Sequence, residues 1–304
     1  MTQLILEQAL NGLQFGLMLF LLAAGLTLVF GIMDMINLAH GSLYMVGAYL
    51  AAAVTQASGS FMVGIGTAML ATALLGALLE VSLLRRLYAR DHLAQVLATF
   101  ALILIANEVV RMIWGAQPML LNAPDALSGP VSIGGFFYPA YRLLLIGVGV
   151  LVAGLLYLLV SHTRLGMWVR AGASNREMTE ALGVNVRLLF TAVFAVGAAL
   201  CALAGAMLGP LLAVQVGMGE SILILAFVVI VIGGIGSIRG ALVGSLLVGL
   251  VDTLGRAALP SLLREVLSPE VASSLGPALA SILIYVLMAA ILFWRPEGLF
   301  PARG

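Results

Sequence analysis

Lysine is missing from this 304-residue sequence, in which all 14 basic residues are arginine. A P-loop needs a lysine to reach the phosphates of a nucleotide, so the chain does not power itself by that route. Charge of either sign is scarce: charged residues are 9% of the chain and apolar ones 62%, whereas soluble domains hold about 25% charged. That balance excludes a soluble domain, a secreted scaffold and a disordered tail. The single cysteine, Cys201, cannot form an intrachain disulfide and leaves the redox compartment open. A net charge of +1 predicts no nucleic-acid partner. Neither an H-E-x-x-H zinc motif nor a G-x-S-x-G nucleophile elbow occurs, so no catalytic residue is expected. His40, His92 and His162 stand apart, and no metal site is expected.

What the chain has is long apolar runs. A bilayer core of about 30 Å takes about 20 residues of helix, and roughly eight or nine such stretches are present. They cover 8–30, 41–57, 61–84, 93–114, 141–160, 188–209, 221–236, 240–257 and 277–294. The expected fold is all-α, a polytopic transmembrane helical bundle forming one domain over 1–304. Segments 221–236 and 240–257 are short and broken by glycine, which predicts half-helices or tilted pieces. No arginine precedes the first stretch, whose length exceeds the core of a signal peptide, so it reads as a mature helix with residues 1–7 as an interfacial lead-in.

Arginine placement sets the orientation, since short cytoplasmic loops collect basic residues. Arg85, Arg86 and Arg90 share one loop, Arg164, Arg170, Arg176 and Arg187 another, and Arg295 and Arg303 the tail; these face inward. Arg111, Arg142, Arg256 and Arg264 then face outward, with Arg239 assigned to neither side. The connections 115–140, with Pro118, Pro124, Pro130, Pro139 and a Gly134–Gly135 pair, and 258–276, with Pro260 and Pro269, read as structured outer loops. The longest inner loop, 161–187, has about 27 residues, too few for a nucleotide-binding domain. Any motor must be another polypeptide.

Three constellations stand out. The first runs from Gly31 through Asp34, Asn37 and His40 to Gly41 and Ser42. Polar groups at membrane depth are expensive unless they face protein or a water-filled path. The run is therefore either a helix break beside a substrate path or a polar turn at the interface. The second, Gly233, Gly234, Gly236 and Ser237 through Gly244, repeats part of the first at a shift of 203 positions, placing Gly31 on Gly234 and Gly41 on Gly244. Paired glycine-interrupted segments point to a transporter's binding region, although glycine also serves close helix packing. In the third, Ser174 and Glu177 have capping-box spacing and Gly183 is a natural stop, framing a two-turn helix. Met178, Ala181 and Leu182 share one face of it, with Arg176, Glu177 and Glu180 elsewhere. Such a helix must pack on something: a cytoplasmic partner, the membrane, or its own protein. The remaining acids Glu80, Glu108 and Asp252 have arginines nearby at Arg85, Arg111 and Arg256, which predicts local pairs.

The run from Gly25 through Asn37, Ala39, His40 and Gly41 to Tyr49 resembles the signature of LivH-type permeases, membrane subunits of branched-chain amino acid ABC importers. The block Ala226–Ala241, the segment from Arg170 to Gly205 and the ending Trp294–Leu299 resemble the same family, so the similarity spans nearly the whole chain. The resemblance implies a bacterial inner-membrane subunit working with a second homologous permease, two ATP-binding cassette ATPases and a periplasmic or extracellular substrate-binding protein. No cofactor is implied in this chain; ATP and Mg would sit on the ATPases. It implies a substrate pathway at Asn37, His40, Gly41, Ser42, Gly233, Gly234 and Gly236. It also implies ATPase coupling through Ser174, Glu177, Met178, Glu180, Ala181, Leu182 and Gly183. One departure is Ser42, where a glutamate often follows the His-Gly pair. Leucine, isoleucine and valine are the default cargo, moved by alternating access; if that position contacts substrate or tunes the cavity, other amino acids, short amides and urea are the alternatives. The other readings are an ion-coupled carrier or channel using Asp34, Glu108 or Asp252, and a membrane-embedded enzyme centred on Asp34 and His40.

Overall fold

The computed structural model describes residues 2–133 and 136–301. The Gly134–Gly135 pair and Arg303 lie outside the described residues. Among the described residues there are eleven α-helices. They are α1 (Thr2–Met33), α2 (His40–Ser58), α3 (Phe61–Leu87), α4 (His92–Trp114), α5 (Ala140–His162), α6 (Arg164–Ser174), α7 (Arg176–Ala181), α8 (Val186–Leu208), α9 (Met218–Gly233), α10 (Ile238–Leu263) and α11 (Pro269–Trp294). Between α4 and α5 a small antiparallel hairpin pairs β1 (Pro130–Ile133) with β2 (Phe136–Pro139). Local sequence sets the boundaries. Ser60, Ser237 and Asn185 accept hydrogen bonds from Val63, Gly240 and Leu188 N–H groups and so cap α3, α10 and α8, while Gly59 at φ 69° ends α2.

Among the described residues seven helices are long and apolar enough to cross a membrane: α1, α3, α4, α5, α8, α10 and α11. Of the other four, α6 and α7 are short, and α2 and α9, which also fall below that standard, both start inside the bundle. Contacts sort the connections into two ends. Tyr88, after α3, reaches Met33 at the end of α1, and Arg176, before α8, lies over Phe190. At the other end Gln56 donates to the Leu120 carbonyl, Met119 bridges to Val214, and Tyr138 donates to Asn11. The first end holds Arg85, Arg86, Arg90, Arg164, Arg170, Arg176 and Arg187 together, as the loop charges predict. Arg239, over the Tyr157 ring, joins it.

Burial divides the bundle. In α1, 83% of the apolar window is buried inside the protein, against 17% in α5 and α11. A helix apolar on every side and surrounded by protein is a core element, whereas α4, α5 and α11 present leucines outward as lipid-facing helices do. Glycines let the core helices touch. A Cβ on Gly16 of α1 would stand 2.7 Å from the Ser245 carbonyl of α10, and one on Gly25 would stand 2.9 Å from the Gly197 carbonyl of α8.

Three expectations need correction. Residues from Thr2 onward continue α1 rather than forming a separate lead-in, because nothing between Thr2 and Met33 breaks the helix. The segment 240–257 is not short: α10 runs Ile238–Leu263, and its Gly244 and Gly249 pack against Val229 and Gly12 instead of breaking it. Consequently the outer loop 258–276 shrinks to the turn between α10 and α11, with Pro260 inside the first and Pro269 opening the second. The 203-residue shift places Gly41, at the start of α2, on Gly244, well inside α10, so the two helix starts do not correspond.

Candidate functional site

The first site grows from the end of α1. Asp34, at φ 49°, turns the chain out of helix, and Asp34–Ala39 continues without helical structure although Met35 and Asn37 are fully buried. The segment climbs. Met33 accepts from Tyr88, which stacks edge-on against Phe190, whereas the ring of His40 lies 3.3 Å from where a Cβ on Gly197 would stand. Phe190 to Gly197 along α8 is a rise of about 10 Å at 1.5 Å per residue. Gly197 is the midpoint of α8, so α2 begins at mid-depth. Non-helical backbone at such depth is tolerated only where protein or a cavity surrounds it, and here protein does.

A second helix starts at the same level. After α8 the chain drops back, with Val214 bridged to Met119 and the Gly217 N–H directed at Met45 Sδ, 3.4 Å away. Gly217, at φ 84°, then opens α9. The first turns of α2 and α9 meet backbone to backbone at Gly41 and Gly219, where neither residue has room for a side chain. Helix N-termini carry unpaired N–H groups and a partial positive charge, so two of them converge here in the bundle core.

Unpartnered polar atoms surround this meeting. Asn37 accepts the Ala39 N–H at 3.1 Å, but among the described residues its Nδ2 has no partner, nor has either ring nitrogen of His40, the Ser42 hydroxyl or the Thr27 hydroxyl of α1. His40 is wedged beside Gly25, with Phe194 edge-on at 6.1 Å. Buried polar groups are normally satisfied, and unsatisfied ones need an explanation. The inner glycines lie around the far end of α9. Gly236, at φ 79°, touches Gly31; Gly233 packs on Gly240; Gly234, at φ 104°, lies against the backbone of Glu297 and Phe300. Leu299 and Phe300 N–H groups donate to the Ile232 and Gly233 carbonyls at 2.9 Å, closing the end of α9. The structure thus brings Asn37, His40, Gly41 and Ser42 together, and sets Gly233, Gly234 and Gly236 at the arginine-rich end. Sequence reasoning missed Gly219 and Gly197, and gave Gly25 no packing role. The Gly217-x-Gly219 spacing was the one local signal for Gly219.

The second site is α7. Ser174 does not cap it: that residue ends α6, and Asn175, in extended conformation, takes the role by accepting the Met178 N–H at 2.9 Å. Ser174 is still helical, whereas Asn175 has the extended backbone that an N-cap takes. The stop is as expected. Gly183, at φ 87°, donates to Glu180, and Val184 donates to Thr179, the paired bonds of a Schellman end. Thr179 is buried, Arg176 lies 5.0 Å over the Phe190 ring, and Glu177, Glu180 and Ala181 face outward. Met178 and Leu182 are 58% and 77% exposed, apolar side chains outside the spanning segments with no cover of their own.

Beneath α7 lies a buried charge network. A π-helical turn at Glu80–Leu84 aims Glu80 into the bundle, where it is fully buried. Its carboxylate accepts from Arg85 at 3.0 Å, Tyr88 at 2.8 Å and Thr191 at 2.6 Å. Burial, reinforced by the bond to Glu80, pushes the Tyr88 phenol well above its ordinary range. Glu108 pairs with Arg111 at 2.9 Å and Asp252 with Arg256 at 2.8 Å, as the spacing predicts. Among the described residues no three His, Cys, Asp or Glu side chains are placed to hold a metal.

Residues 8–292 match the protein family described as the branched-chain amino acid transport system permease component. The high-affinity branched-chain amino acid transport system permease protein BraD of Pseudomonas aeruginosa is 31% identical, covering 97% of this chain and 95% of its own length. The corresponding permease protein LivH of Escherichia coli K12 is 28% identical, with 96% of each chain covered. No solved structure matches the chain.

Proposed function

The chain belongs to the branched-chain amino acid permease family, and from that premise we propose how this membrane transport subunit works. It pairs with a second homologous permease in the bacterial inner membrane, receives cargo from a substrate-binding protein outside, and is moved by two ATPases that carry the ATP and Mg. The cargo is a branched-chain amino acid. The observation that supports this reading is the meeting of α2 and α9 at mid-depth. It is a closed junction of two helix starts, ringed by polar atoms with no partner, of the kind found where a discontinuous helix meets a substrate. Asn37, His40, Gly41 and Ser42 form its wall, and Gly233, Gly234 and Gly236 form the floor on which α9 pivots.

The force enters through α7. Met178, Ala181 and Leu182 insert into the ATPase, Glu177 and Glu180 flank the contact, and Ser174 and Gly183 bound the rigid piece. Because a separate protein supplies affinity, the passage itself needs few strong contacts and must release its cargo readily.

The complete assembly, reconstituted in vesicles, tests both halves. Leu182→Asp should abolish copurification of the ATPase and leucine uptake together. Asn37→Leu should keep the assembly and lose uptake. Leucine uptake by the purified chain alone, driven by an ion gradient without nucleotide, overturns the proposal and favours an ion-coupled carrier.

A further inference from the structure

At the arginine-rich end, α3, α7 and α8 enclose a cleft of about 390 Å³ lined by Arg85, Tyr88, Ala89, Arg176, Arg187 and Phe190. Three arginines and no acid line it. Two of the three are matched elsewhere, Arg85 by Glu80 beneath and Arg176 by Glu180 at 3.4 Å. Arg187 is exposed and makes no ion pair among the described residues, so the cleft carries a positive excess. Its depth matters as much as its charge. Arg85 stands near the end of the spanning stretch Phe61–Leu87, and Arg187 near the start of Val186–Leu208, so the mouth lies where hydrocarbon gives way to headgroups. From the cleft toward the bilayer centre, α3 and α8 run packed together, as Ala198 against Gly76 shows. Both leave apolar side chains uncovered: Leu74, Leu78 and Val81 on α3, Leu188 and Val196 on α8. A cationic pocket at the boundary continued by exposed leucines matches one amphiphile, with a phosphate at one end and acyl chains at the other.

We propose that this cleft binds the headgroup of an anionic phospholipid, with Arg187 as its principal phosphate contact and the α3–α8 surface holding the acyl chains. Basic pockets between helices on the cytoplasmic side recognise anionic headgroups in this manner. The guanidinium fork suits a phosphodiester, which it can grip through two parallel N–H donors. Because Arg176 belongs to α7 and Arg85 to α3, a bound phosphate would bridge the two elements. The inference requires only that the chain is embedded in a membrane, not that the transport reading is right.

Native mass spectrometry of the purified permease complex, released from nanodiscs of equal phosphatidylglycerol and phosphatidylcholine, tests it. Wild-type protein should retain phosphatidylglycerol preferentially. Arg187→Ala should lower that preference about fivefold, the effect of one arginine near a charged surface. Arg187→Lys should keep part of it. Leu188→Asp should weaken retention with the arginines intact. Millimolar glycerol phosphate that displaces the lipid completely would mean that a soluble phosphate is the ligand, and the proposal falls. Equal retention of both lipids overturns it too. So does an Arg187→Glu variant that loses the ATPase while keeping its phosphatidylglycerol, since the cleft would then be a protein contact.

Discussion

Two clusters of buried polar side chains in this bundle are treated in opposite ways. Around Glu80, three donors from α3, the following turn and α8 converge on one carboxylate. Around His40, nitrogen and hydroxyl groups sit at the same level of burial with no partner. A satisfied buried charge locks helices together, and removing a partner exposes its full desolvation penalty. An unsatisfied cluster contributes no such lock and strains the fold slightly, so its retention calls for a role in something other than stability. The difference separates a joint from the region proposed above to wall the passage.

The sharpest way to break the comparison is Arg85→Ala. It strands Glu80 with two neutral donors and should destabilise the protein by about 3 kcal/mol, the low end for breaking a buried pair, because a third of the Arg85 side chain stays in solvent. Unfolding in detergent measures it, and a loss below about 1 kcal/mol would show that Glu80 is no lock. Gly25→Ala should cost about 1–3 kcal/mol by overpacking, since the new methyl would lie 2.8 Å from His40 Nε2. Adding His40→Ala should recover part of that loss but not all, because the Gly197 carbonyl is as close; strict additivity in the double-mutant cycle would contradict the wedge. Thr191→Val removes one of three donors to Glu80 and should cost about 1 kcal/mol. At the small end, Ser42→Ala and Thr27→Val should leave stability within about 0.5 kcal/mol of wild type or raise it, since each deletes an unpaired buried hydroxyl. If Ser42→Ala instead lowers stability as Thr191→Val does, the two regions are alike and the distinction fails.

Much of this was legible in the sequence because helix length and polarity are local signals. The apolar runs placed nearly every helix, and Asp34 and Asn37 between Gly31 and Gly41 marked the break. The Glu80–Arg85 pair followed from spacing. What stayed hidden depends on distant partners. Nothing near Gly41 announces that Gly219 will cover it, and Thr191 reaches Glu80 across more than one hundred positions. Glycine was ambiguous for the same reason: in α10 it permits contact, at Gly234 and Gly236 it permits a turn, and composition alone cannot tell the two apart. Ser174 misled because its neighbour Asn175 is an equally good cap, and the backbone of α6 decided between them.

The closing of α9 by Leu299 and Phe300 has a consequence for how the protein is made. Ribosomes deliver residues 232 and 233 long before 299 and 300, so the helix must wait in the translocon's vicinity with its final carbonyls bare. The inner tip of α9 is therefore completed last, and a nascent chain halted before Leu299 would lack the two N–H donors that close it.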